Sequence, residues 1–130
     1  MLKHIKALLK GKVFIIAFIV TAGILTLSLI RMPKYDITIS SLDKWQHFFA
    51  YFILSISWLF AFFKENRKYP IVFCCILFGI IIEVLQHTII NYREGDYLDI
   101  MANTLGVLLG LLVFNQVLKK NRLKNKKTCN

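Results

Sequence analysis

Four long apolar runs, separated by short charged segments, divide the chain. The runs are Val13 to Ile30, Phe48 to Phe63, Ile71 to Ile90 and Ile100 to Leu118, and they contain 16 to 20 residues each. A helix needs about 17–25 residues to cross a hydrocarbon layer roughly 30 Å thick. Because backbone groups in lipid must be hydrogen-bonded within their own segment, the pattern predicts an all-α fold, a bundle of four transmembrane helices. The first run is longer than the core of a signal peptide, and no A-x-A-like cleavage site follows it, so we expect it to be a helix of the mature protein.

The composition excludes a soluble globular domain. Of the 130 residues, 57% are apolar and 18% are charged, whereas about a quarter of the residues of a soluble domain are charged. The length allows one domain. A net charge of +10 on a soluble protein would suggest nucleic acid as a partner. Here the basic residues lie between apolar runs, a pattern typical of membrane topology, and we expect no binding of nucleic acid.

The distribution of Lys and Arg predicts the orientation. Thirteen of the 17 basic residues lie in residues 1–12, 64–70 and 119–130, and four lie in the other two connections. Since basic residues stay on the cytoplasmic side, both termini are predicted to be cytoplasmic. We therefore divide the chain into a basic N-terminus (1–12), a four-helix transmembrane domain (13–118) and a basic tail (119–130). The tail is expected to be disordered or to lie on anionic lipid.

Each of the last three runs carries one stripe of polar or small residues at steps of three or four. Residues at this spacing share a helix face, and such a face gains nothing from contact with lipid, so the stripes should face one another. With the adjoining loop they predict a polar pocket that opens away from the cytoplasm and binds a ligand. Its expected lining is Asp43, Lys44, His47, Tyr51, Glu83, Gln86, Arg93, Asp96, Asp99 and Asn103.

Glu83 is the most informative of these residues. An ionised carboxylate near the middle of a bilayer costs roughly 2.5–3.5 kcal/mol on insertion scales, so it needs a partner or a proton. Lys44, His47 and Arg93 are candidate partners. A salt bridge that serves packing alone is the alternative interpretation.

Two further patterns in the sequence bear on helix packing and on metal binding. Gly106 and Gly110 form a GxxxG motif, which we expect to pack the fourth helix against the second or third rather than to form a dimer. Asp43, His47, Glu83 and Asp99 are types of residue that bind metals, but the chain has no HExxH motif and no Cys/His cluster. Lys44 and Arg93 would also compete for the carboxylates, so we predict no metal and no other cofactor.

The same residues lie in three stretches that resemble the VanZ-like family of small bacterial membrane proteins. The stretches are DKWQHFFAYFILS from residue 43, EVLQ from residue 83 and REGDYLDIMANTLGVLLG from residue 93. The family pattern is D-K-x-x-H-x-x-x-Y, E-x-x-Q and R-x-x-D-x-x-D-x-x-x-N-x-x-G-x-x-x-G, and the resemblance covers about residues 35–118. Residues 87–92 depart from it, because they lack the Pro-Gly turn that often precedes the Arg.

The resemblance implies a multi-pass protein of the bacterial cytoplasmic (inner) membrane. The family is named for a protein associated with teicoplanin resistance, which implies a link to the cell envelope or to tolerance of glycopeptide antibiotics. It does not imply a defined reaction.

Three functions fit these observations. The favoured one is a binding module for the head group of a lipid or cell-wall precursor, with Lys44 and Arg93 meeting phosphate or carboxylate. The second is an intramembrane enzyme with Glu83 or Asp99 as base and His47 as acid, although the chain offers no convincing nucleophile. The third is a structural or regulatory subunit that packs against another membrane protein.

Overall fold

Four α-helices form the protein, and the computed structural model describes residues 2–30, 40–89 and 97–129. In chain order the helices are α1 (Leu2–Leu29), α2 (Ser40–Ala61), α3 (Lys68–Ile89) and α4 (Tyr97–Thr128). A short 3-10 turn, Phe63–Glu65, lies between α2 and α3. No β-strand occurs within the described ranges, and the prediction of an all-helical fold is confirmed.

Three of these helices, α1, α3 and α4, are long and apolar enough to cross a membrane. The second helix has 22 residues, which gives it a length of about 33 Å and therefore enough to span the hydrocarbon layer. Its first half is less apolar because it contains Lys44, Gln46 and His47.

Two helices extend beyond the apolar runs that predict them. The first begins at Leu2, so most of the basic N-terminus is helical, and α4 continues to Thr128. The tail from residue 119, expected to be disordered or to lie on anionic lipid, is therefore helical as far as Thr128, and its contact with lipid stays a prediction. Leu, Lys and Arg are good helix formers, and the basic residues in the last turn complement the helix dipole.

A tight connection places α2 and α3 side by side. The backbone N–H of Glu65 donates to the carbonyl of Phe62 at 3.1 Å. Asn66 then takes a left-handed conformation (φ 49°), which Asn adopts more readily than most residues. Pro70 is the third residue of α3, where its missing N–H breaks no helical hydrogen bond. Lys10 Nζ lies 3.1 Å from Glu65 Oε1, so this end of the bundle also holds the start of α1.

The closest helix pair is α2 with α4. A Cβ at Gly106 would clash with the carbonyl oxygen of Phe48 and lie 3.1 Å from the backbone nitrogen of Phe52. A Cβ at Gly110 would meet the Ser55 hydroxyl. The two glycines of the GxxxG motif thus lie against α2, where only the absence of a side chain permits this approach.

The first helix lies at the edge of the bundle. Among its described side chains Ala17 alone is buried. The Trp58 ring of α2 makes edge contacts with Phe14 and Phe18, and its Nε1–H donates to Thr21 Oγ1 at 3.0 Å. The core itself consists of buried residues of the other three helices, Tyr51, Leu54, Val72, Cys75 and Val107.

Candidate functional site

Three side chains from three helices meet in the interior. They are His47 of α2, Glu83 of α3 and Asp99 of α4, and each offers one nitrogen or oxygen atom within 4.8 Å of the other two. His47 Nδ1 lies 4.0 Å from Glu83 Oε1. Only 9% of His47 and 5% of each acid is exposed. We call these three residues the polar triad.

The antiparallel arrangement of the helices explains why the triad forms. His47 and Asp99 lie near the beginnings of α2 and α4, whereas Glu83 lies near the end of α3. These ends are on the same side of the bundle. Asp99 is in the first turn of its helix, where the helix dipole favours a carboxylate.

A second layer of polar groups lies one helical turn further into the bundle. Tyr51 follows His47 by four residues and Asn103 follows Asp99 by four, so each shares the face of its triad neighbour. The Tyr51 ring and the Asn103 amide both lie against Gly79, where an added Cβ would come within 3.1 and 3.3 Å of them. Gly79 therefore leaves room for two polar side chains.

Several polar groups of this second layer have no hydrogen-bond partner among the described residues. Among the residues that the structure describes, the Tyr51 hydroxyl and both polar atoms of the Asn103 amide have no hydrogen-bond partner, although the two residues are 1% and 2% exposed. Buried polar groups in proteins nearly always have a partner, and water, ions or ligands commonly provide one. Within the described ranges, no group of the protein meets this need.

Gln86 lies beside the triad but faces α1. Its Nε2 donates to the carbonyl of Ser28 at 2.9 Å, while its Oε1 has no hydrogen-bond partner among the described residues. Together with His47 and Tyr51 it lines a cavity of about 150 Å³. His47 thus lies between this small cavity and the two acids.

A larger and more apolar cavity lies about one turn further along α1 and α2. Its volume is about 430 Å³, and it lies between α1, α2 and α3. Leu54 lines it one turn after Tyr51 on α2, and Thr21 lines it one turn before Ile24, which borders the smaller cavity on α1. Trp58 and Arg67 lie at its other end. The cleft therefore changes from polar at His47 to apolar at Leu54.

The charge of the site is set by its two carboxylates. Two buried acids this close to each other repel when both are ionised, and burial makes each charge costly without compensation. A proton on His47, a nearby cation or a bound ion would each compensate them. Lys44 lies one turn before His47 on α2 and is half-buried.

The residues expected to line the pocket are distributed as follows. His47, Tyr51, Glu83, Asp99 and Asn103 come together, Gln86 is adjacent on the α1 side, and Lys44 lies at the edge. The Asp43 side chain and the residues Arg93 and Asp96 lie outside the described part of the chain.

The sequence analysis missed the contribution of α1. Thr21 and Ser28 are seven residues apart and so lie on one helix face, the face that meets Trp58 and Gln86. Thr21 accepts through its hydroxyl, so a polar residue in an apolar helix was a signal there, whereas Ser28 accepts through its backbone carbonyl, which no residue type reveals.

Ser55 does not act as a nucleophile in this arrangement. It is fully buried against Gly110, and its hydroxyl donates to the carbonyl of Phe52 at 3.0 Å. Its role is in the contact between α2 and α4.

The fold is all-helical, three of its helices are apolar enough to cross a membrane, and a buried His–Glu–Asp triad lies between α2, α3 and α4. The chain belongs to the VanZ/LLP1 family, whose sequence model matches residues 3–119.

One curated relative is Uncharacterized protein C11E3.10 of Schizosaccharomyces pombe, which is 33% identical over 84 residues. The match covers 63% of this chain and 51% of the yeast protein, so the chain spans about half the length of that relative. No solved structure matches the chain.

Proposed function

We propose that the protein is a four-span membrane protein that binds the head group of a lipid or lipid-linked envelope precursor at the polar triad. The observation that carries the proposal is the set of buried polar groups around Asn103 and Tyr51, which lack partners within the described chain. A membrane protein gains no stability from such groups unless they bind something.

The membrane arrangement rests on charge and on packing. The bias of Lys and Arg puts both termini in the cytoplasm. The second helix is long enough to serve as the fourth span, and its polar residues His47, Tyr51 and Ser55 are buried in the bundle rather than directed to lipid. In this orientation the triad lies in the outer half of the membrane.

The shape of the cleft suits an amphipathic ligand. The small cavity beside His47 and Gln86 offers nitrogen and oxygen atoms to a head group. The larger cavity, lined by Leu54, Trp58 and Phe78, suits an acyl or isoprenyl chain. A ligand with a polar end and an apolar tail could occupy both.

The chemistry favours an anionic or amide-bearing head group. Lys44 at the edge of the site, and Arg93 in the adjoining connection, would meet a phosphate or carboxylate. Gln86 and Asn103 supply amides that can both donate and accept.

Mass spectrometry of lipids that co-purify with the protein tests this proposal. The R93A variant is compared with R122A, which removes an Arg from the exposed end of α4. We expect one class of lipid to be lost from R93A and retained by R122A, with both variants inserted and monodisperse in detergent. Identical lipid profiles for the wild type and R93A would contradict head-group binding.

A role in the bacterial inner membrane and in glycopeptide tolerance is part of the same proposal. Deletion of the gene in its host should lower the inhibitory concentration of teicoplanin, and the wild-type gene but not an R93A copy should restore it. An unchanged inhibitory concentration would remove the tolerance role and leave the head-group site to the lipid experiment.

Acid–base catalysis on a lipid-linked substrate is the second candidate function. The specific observation in its favour is the close approach of His47 to Glu83 and Asp99, since such a group can accept and donate protons. If E83Q retained full activity in a lipid-modification assay, this function would fail.

A further inference from the structure

We propose that His47, Glu83 and Asp99 together bind one divalent transition-metal ion. This site goes beyond head-group binding and does not depend on it. It also departs from the expectation of no metal, which rested on missing motifs and on competition from Lys44 and Arg93. The folded chain brings the three donors together.

The donor set is appropriate for such an ion. One imidazole nitrogen and two carboxylate oxygens are ligands of Zn²⁺, Mn²⁺ and Fe²⁺, whereas Mg²⁺ and Ca²⁺ prefer oxygen alone. Three protein ligands also leave positions open for water or for an oxygen of a bound phosphate.

The distances are close to those of a coordinated ion. Three atoms that all lie within 4.8 Å of one another fit in a circle with a radius of about 2.8 Å, whereas Zn²⁺ binds its nitrogen and oxygen ligands at about 2.0–2.2 Å. Shifts of about 0.7 Å in each side chain would bring all three donors into range.

Burial strengthens the case for an ion. Glu83 and Asp99 are each 5% exposed, and together they carry two negative charges when ionised. A divalent cation between them offsets both charges at once, and attraction between charges is stronger in a water-poor interior. Lys44, one turn before His47, carries a single positive charge, so it competes for the carboxylates with a lower charge than a divalent ion has.

The second layer provides independent support. Asn103 and Tyr51 lie one turn from Asp99 and His47, are almost completely buried, and have no hydrogen-bond partner among the described residues. In metal sites such groups hold the ligands in position or hydrogen-bond to water on the ion. Gly79 leaves space for both side chains.

The same observations explain why no sequence motif reveals the site. His47 and Glu83 are separated by 36 positions, and Glu83 and Asp99 by 16. Each donor comes from a different helix, so the site exists only after the helices have packed. Motifs such as HExxH detect sites whose ligands lie within one or two turns.

Metal titration of the full-length protein in detergent tests the proposal. The protein carries no polyhistidine tag and has C74S and C129S, because both thiols are exposed and could bind Zn²⁺. After removal of metal with EDTA and removal of the EDTA, Zn²⁺ and Mn²⁺ are titrated by calorimetry. Elemental analysis then gives the number of ions per chain.

We expect one ion per chain for the wild-type site. The variants H47A, E83Q and D99N should lose this stoichiometric binding. N103A removes a side chain that positions the ligands, so it should weaken metal binding about 10- to 100-fold. The controls H87A and E65Q change exposed residues of the same types and should bind as the wild type does.

A spectroscopic measurement keeps the test valid if a variant fails to fold. Co²⁺ added to the metal-free wild type should give visible absorption bands without the thiolate transitions of a cysteine site, and Cu²⁺ should show hyperfine coupling to one nitrogen. The proposal is overturned if the wild type binds no ion, or if H47A, E83Q and D99N bind ions as the wild type does.

The result is separable from the lipid experiment. Loss of the ion in E83Q with the lipid retained would support both proposals and show that the head group binds beside the triad without needing the ion. Loss of the lipid in R93A with no ion in the wild type would support the head-group proposal and reject the metal site.

Discussion

His47 Nδ1 and Glu83 Oε1 lie 4.0 Å apart across the contact between α2 and α3, and both residues are buried. They are 36 positions apart in the sequence, so this pair reports directly on whether the two helices are correctly packed.

The two residues should be energetically coupled. In a double-mutant cycle, H47A and E83Q are expected to change the free energy of unfolding non-additively, by about 1 kcal/mol, because interacting residues in one polar network give coupling of roughly 0.5–3 kcal/mol. Unfolding would be followed in detergent with EDTA present. The pair H87A and E65Q, whose residues lie on the exposed surface, should be additive, and an additive result for His47 and Glu83 would show that they do not interact.

Gly106 should tolerate no side chain. A methyl group there would clash with the Phe48 carbonyl oxygen, and since that atom belongs to a helix backbone, α2 and α4 would have to separate. We expect G106A to lower stability by about 2–3 kcal/mol, as overpacking commonly does. Thermal unfolding in detergent measures the effect.

G23A is the matched control, because a Cβ at Gly23 would have no neighbour within 4 Å. It should leave the midpoint of unfolding unchanged or raise it slightly, since Ala is the better helix former. Equal effects of G106A and G23A would be incompatible with the close approach of α2 and α4.

The hydrogen bond between Trp58 and Thr21 should hold α1 to α2. W58F removes the indole N–H and T21V removes the hydroxyl that accepts it at 3.0 Å. Either change is expected to lower the free energy of unfolding by about 1 kcal/mol. The double variant should lose little more than either single variant, because both changes remove the same hydrogen bond. T26V removes a hydroxyl that bonds only within α1 and is the control. Full additivity of W58F and T21V would argue against the bond.

Thiol labelling tests the proposed topology. Cys129 follows the end of α4 and is exposed, so a membrane-impermeant maleimide should react with it only after the cells are permeabilised. The C74S variant keeps Cys129 as the exposed thiol, and Cys75 is buried. A further variant carries C74S, C129S and N91C, so that its new thiol lies in the connection between α3 and α4. This thiol should react with the maleimide in intact cells. Labelling of Cys129 from outside would reverse the orientation.

The sequence was sufficient to predict the helices and the burial of two polar helix faces. The four-residue steps from His47 to Tyr51 and from Asp99 to Asn103 place each pair on one face, and α2 and α4 do present these faces to the interior. Helical periodicity in an apolar chain has few other interpretations, which is why this part succeeded.

Other features depend on packing and were not predictable. The neighbour that Gln86 meets is set by the position of α1, and its bond to Ser28 joins residues 58 positions apart. The convergence of His47, Glu83 and Asp99 to within 4.8 Å likewise depends on how three helices are staggered. Hydropathy identifies the spans but contains no information on how far one helix is shifted along its axis relative to the next.

The position of α1 at the edge of the bundle has a consequence for how a lipid would arrive. Both cavities are bordered by α1, which contacts its neighbours through Lys10, Trp58 and Gln86 and has Ala17 as its one buried residue among those described. A molecule diffusing in the bilayer could enter sideways by separating α1 from its neighbours. The interlocked pair of α2 and α4 would stay intact during such an exchange, so loading and release would not require the protein to unfold.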